Sequence, residues 1–115
     1  MNHHKANRKF GRIKKVRDGL MKSLALSLVI NGKITTTDAK ARELRPFVEK
    51  MISQGRKGGI PERRALISKI GTMGARKIVK DISPKYKART GGYTRITKLP
   101  RRVSDGSLMA VIEFV

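Results

Sequence analysis

Apolar residues recur every fourth position through Val16, Leu20, Leu24 and Leu28, with Met21 and Ala25 beside them. This spacing predicts an amphipathic helix ending near Asn31-Gly32. Gly19 within it costs up to about 1 kcal/mol relative to alanine, so it marks either a close neighbour or a tolerated defect. Lys33 to Thr36 is short and β-branched and reads as a strand. Thr36 or Thr37 then caps a second helix, with Asp38 in its first turn.

The buried face of that second helix is expected at Leu44, Phe47, Val48, Met51 and Ile52. Pro46 interrupts the pattern, which predicts a kink or a restart because proline removes a donor and crowds the preceding turn. The run from Gly55 to Gly59 breaks the helix, and Pro61 with Glu62 opens a third bearing Ala65, Leu66, Ile67 and Ile70. Gly71 and Gly74 separate it from a fourth on Ala75, Ile78, Val79 and Ile82. That helix is expected to stop near Ser83, since a residue before proline is disfavoured in helical geometry.

Beyond a basic, glycine-containing loop, Tyr93 to Leu99 and Leu108 to Val115 alternate as strands, with a turn between them. Leu108, Ala110, Ile112 and Phe114 form one apolar face of the last strand, and Met109, Val111, Glu113 and Val115 a nearly apolar other, as in a strand covered on both sides. About four helices on a small three-stranded sheet give an α+β domain in two layers. Residues 16–115 are expected to form it, with residues 1–15 as a basic arm.

Charge changes this picture. The 115 residues hold 28 Lys and Arg against 8 Asp and Glu, a net +20. Self-repulsion of that size disfavours a compact state unless a polyanion neutralises it. Apolar residues at 38% still suffice for a core, so the chain is not a disordered polycation. No stretch approaches the roughly 20 apolar residues needed to span a bilayer, and the absence of cysteine suits a reducing compartment such as the cytosol. The N-terminal stretch lacks both the serine content of a transit peptide and the apolar run of a secretory signal, and is read as part of the mature protein.

Catalysis needs grouped polar side chains, and the eight acids lie singly among basic neighbours. His3 and His4 lack a spaced third ligand for a metal. An enzyme and a metal or other cofactor are therefore not expected. The stretch Gly55-Arg56-Lys57-Gly58 has the form of a backbone-clamping GxxG loop, but Gly71 to Gly74 repeats it, so glycine-rich helix connections explain both. What remains is basic surface. Lys5, Arg8, Lys9, Arg12, Lys14, Lys15 and Arg17 cluster early, Arg42 and Arg45 on the second helix, and Arg95, Lys98, Arg101 and Arg102 near the hairpin. Aromatic residues are only 4%, too few for base stacking on a sheet. Phosphate and shape recognition of a folded RNA fits this pattern better.

The stretches Lys9 to Arg12 (KFGR), Ile34 to Ile52 (ITTTDAKARELRPFVEKMI), Gly91 to Arg102 (GGYTRITKLPRR) and Met109 to Val115 (MAVIEFV), in that order, resemble the bacterial large-subunit ribosomal protein family numbered seventeen. The resemblance implies a small mixed sheet, binding to large-subunit ribosomal RNA near the peptide exit tunnel, and neighbouring ribosomal proteins as partners of a monomer. It also implies an arm that penetrates RNA, here Lys5, Arg8, Lys9 and Arg12, with Arg95, Arg101 and Arg102 as further contacts. Asn2 and His4 stand where the family commonly has arginines, so no phosphate contact carries over to them. Two rivals share the composition. A nucleoid DNA-binding protein would need a dimer, and a ribosome assembly factor would leave mature particles on high-salt washing.

Overall fold

The computed structural model describes residues 14–115. The arm expected over residues 1–15 therefore lies outside the described residues, except for Lys14 and Lys15. Those two are the first described residues of α1 (Lys14–Asn31). Its stripe is covered only in its second half: Ala25, Leu28 and Val29 are buried, while Val16 is 51% exposed. Among the described residues a Cβ on Gly19 would meet nothing within 4 Å, which fits the tolerated defect. Gly32, at φ +83°, ends the helix. Its N–H donates to Leu28 O (2.8 Å) and its carbonyl accepts from Phe114 N–H (3.2 Å).

β1 (Lys33–Thr37) leads into α2 (Asp38–Lys57), where Thr37 Oγ1 accepts the Lys40 N–H at 3.3 Å. Such a cap contributes about 1 kcal/mol. Instead of restarting at Pro46, α2 runs through it as one element. An interior proline costs about 3 kcal/mol, but it sits on the exposed side. The opposite side buries Ala41, Leu44, Val48, Met51 and Ile52 completely. Each of the four larger side chains gains roughly 1.5–3 kcal/mol, so burial outweighs the proline.

After Gly58, at φ +68°, come α3 (Ile60–Ile70) and α4 (Thr72–Lys77). The expected stop near Ser83 is corrected by the structure. Winding widens into a π turn over Ile78–Ile82, closed by Ser83 N–H donating to Ile78 O, and then tightens into a 3₁₀ turn over Ser83–Tyr86. Ser83 keeps helical angles (φ −58°, ψ −37°) although Pro84 follows. Its buried Oγ donates to Ile52 O at 3.0 Å, and Ile82 and Tyr86 bury on either side, which together override a steric bias. Gly55 permits this approach, since a Cβ there would lie 2.4 Å from Ser83 Oγ and 2.8 Å from Ile78 Cγ2.

β2 (Thr94–Leu99) and β3 (Met109–Phe114) complete a sheet of order β1-β3-β2. Both pairs are antiparallel, with Ile112 opposite Ile34 on one side and Ile96 on the other, so the sheet is not mixed as the resemblance implied. A short hairpin joins β2 to β3 and can make only antiparallel neighbours. The helices bury Ala110 and Ile112, whereas Met109, Val111 and Glu113 on the other side are only partly covered. The expected double covering is thus single, and the sheet is open. Tyr86 and Tyr93 pack with ring centroids 5.2 Å apart where the loop before β2 meets α2.

Candidate nucleic-acid interface

Lys5, Arg8, Lys9 and Arg12 lie outside the described residues, as do His3 and His4. The other nine candidates fall into three groups rather than one. Lys14, Lys15 and Arg17 stand on the first described turns of α1.

The second group lines a groove between α2 and β2, formed by Asp38, Arg42, Arg45, Ile96 and Lys98. Arg42 Nε lies 3.0 Å from Asp38 Oδ2, and Arg45 Nε 3.6 Å from Glu49 Oε2. Glu49 Oε2 also accepts the Thr94 N–H (3.2 Å) and hydroxyl (2.8 Å), so one carboxylate ties α2 to β2 and fixes the groove's width. Exposed ion pairs of this kind contribute about 0–1 kcal/mol. They orient the guanidinium groups and leave room for a stronger anion.

Alternation along β2 sends Arg95 to the opposite, open face of the sheet. There its Nε (3.1 Å) and Nη2 (2.7 Å) both donate to Glu113 Oε1. Arg101 and Arg102 belong to the β2–β3 hairpin, which is stitched by Arg102 N–H to Ser107 O (2.9 Å) and Gly106 N–H to Arg102 O (2.8 Å). Arg101 Nη1 donates to Gly106 O (2.9 Å), and Arg102 Nη1 lies 3.5 Å from Asp105 Oδ2. The Ser107 backbone N–H, followed by its hydroxyl, holds the Asp105 carboxyl below its ordinary range.

Two features were not legible in the sequence. Lys22, Lys50 and Lys69 join Lys14 and Arg17 around a depression lined also by Met21 and Phe47. They come from three helices, so only tertiary packing brings them together. Conversely, Arg56 and Arg89, which sit in basic clusters, serve the fold. Arg56 donates to Tyr93 Oη and to Lys87 O, each at 3.0 Å, and Arg89 to Gly92 O at 3.1 Å. The GxxG stretch is the last turn of α2 plus its Gly58 cap rather than a free loop.

No helix among the described residues is long and apolar enough to cross a membrane. Residues 20–115 match the family model described as ribosomal protein L17. A large ribosomal subunit protein bL17 of Persephonella marina is 45% identical over 100% of this chain and 95% of its own length. Proteins of the same name from Gemmatimonas aurantiaca (44% identical) and Nautilia profundicola (41%) each match 100% of this chain and 98% of their own length.

Proposed function

The chain belongs to the ribosomal protein L17 family, whose members are large-subunit ribosomal proteins and not enzymes, and on that premise we propose that it binds and stabilises folded large-subunit ribosomal RNA. It does so through phosphates and helix shape, as a monomer near the peptide exit tunnel of a cytoplasmic ribosome, beside other ribosomal proteins. The observation that carries this reading is the groove of Arg42, Arg45 and Lys98, whose arginines are pre-oriented by acids on their own helix. The basic arm over residues 1–15 extends the same contact, with Lys5, Arg8, Lys9 and Arg12 neutralising phosphates. Lys14, Lys15, Arg17, Arg95, Arg101 and Arg102 supply further phosphate contacts from the other two groups.

Neutralised phosphates release counterions, so affinity for a large-subunit RNA transcript should fall steeply with salt. Deleting residues 2–15 should make the slope of log affinity against log salt shallower by about 3 to 5 units, and Arg45→Glu by about 1. Slopes unchanged in both would exclude phosphate contact. Retention of the protein on large subunits washed in high salt separates a resident constituent from an assembly factor.

A further inference from the structure

A second groove lies between α3 and α4, and none of its lining residues is among those assigned above to RNA. Its floor is Ile67, Ala75 and Val79, and its rim Arg63, Arg76 and Lys80. The groove is preformed. Gly71, at φ +90°, turns the chain between the helices, and a Cβ on Gly74 would lie 2.8 Å from Ile70 Cγ1, so only a glycine lets α4 close onto α3. Val79 and Lys80 belong to the π turn, a wide turn that recurs at functional sites.

Its chemistry differs from that of the α2–β2 groove in two respects. Arg63, Arg76 and Lys80 make no ion pair among the described residues, and no acid lines the groove. Large apolar side chains also stand open to solvent on these two helices: Ile67, which lines the groove, is 44% exposed, and Ile60 and Met73, outside its lining, are 69% and 70% exposed. Helical spacing sets Ile60 three residues before Arg63 and Met73 three before Arg76, so each helix presents an apolar group one turn from a cation. Duplex RNA offers phosphates and ribose but nothing to cover isoleucine and methionine. A second copy of this chain, at +20, repels. Exposed apolar surface mixed with arginine and methionine is the composition of a protein interface.

We propose that the α3–α4 groove docks an acidic, amphipathic segment of another protein, its apolar side chains on Ile67 and Val79 and its carboxylates on Arg63, Arg76 and Lys80. Full-length protein would be titrated with a synthetic helical peptide carrying leucine every three to four residues among glutamates, and with a same-composition peptide that scatters the leucines. Amide shifts confined to residues 60–80 with the first peptide, and affinity lower by roughly tenfold for the second peptide and for both Ile67→Ser and Arg76→Glu, are expected. Equal binding of the two peptides, or shifts centred on α2 and β2, would overturn the proposal by reducing it to charge neutralisation. A photo-crosslinker at position 67 in assembled large subunits provides the second measurement, and attachment to RNA there would overturn it as well.

Discussion

The α2–β2 groove and the α3–α4 groove carry equal numbers of cations and differ in everything around them. In the first, Arg42 and Arg45 are held by Asp38 and Glu49, and Ile96 is the one large apolar lining among the described residues. In the second, Arg63, Arg76 and Lys80 surround Ile67 and Val79 without an acid. Net charge therefore says that a polyanion is wanted somewhere and not which surface meets it. The neighbours of each cation decide: an acid that orients it suits a phosphate, and an apolar floor suits a protein segment.

The largest test of this contrast removes the frame that both grooves share. Ile112, fully buried beneath α2, should cost about 2–5 kcal/mol when cut to alanine, through lost transfer energy and a cavity. Phe114→Ala, at a partly covered position, should cost less, and Glu113→Ala least. Urea denaturation measures all three, and equal small effects would mean that the sheet does not organise the molecule. Next in size, Gly55→Ala pushes a methyl group into Ser83 and Ile78. Overpacking there should cost roughly 1–3 kcal/mol. Amide shifts should move along the π turn and Val79 while Arg42, Arg45 and Lys98 stay unchanged; shifts spread over both grooves would show that they are one coupled unit.

That the two grooves had to be found in the structure has a physical cause. Period, caps and turns are local, so α1's end at Asn31, the Thr37 cap and the β2–β3 hairpin could be read from adjacent residues. The continuity of α2 through Pro46 could not, because burial of the far side of the helix decides it. Nor could the π turn, which depends on Ser83 reaching Ile52 O across the fold. Among the candidate site residues, Arg42, Arg45 and Lys98 do converge, yet Arg95 falls on the other face of the same strand. Arg63, Arg76 and Lys80, spread over 18 positions of sequence, look like ordinary solvated charges until α3 and α4 close on one another.

A finer test sets the grooves against each other in one assay. In binding to a large-subunit RNA transcript, Arg42→Glu with Arg45→Glu should make the salt slope shallower by about 2, whereas Arg63→Glu with Arg76→Glu should leave it within error. Equal losses would assign both grooves to RNA. The smallest effect is expected at the hairpin, which belongs to neither. Asp105 is held below its ordinary value of 3.8, chiefly by the Ser107 N–H. A lowered carboxyl stabilises the turn above that ordinary value, and the contribution fades as pH falls through the lowered one. The Ser107 amide shift should follow this titration with a midpoint below 3.8, and a midpoint at or above it would mean that the turn does not hold the charge.

The strand order β1-β3-β2 bears on when this protein can fold during synthesis. β3 is the central strand, and both of its neighbours precede it in the chain. β1 must therefore wait, with its ladder groups unpaired, until the segment Met109–Phe114 has left the ribosome. Pairing Ile34 with Ile112 also closes a long loop, and distant pairing of this kind slows folding. The helices can form as they emerge; the sheet forms only after β3 is available, the local β2–β3 hairpin ahead of the distant β1 pairing, and on a chain that is already strongly cationic.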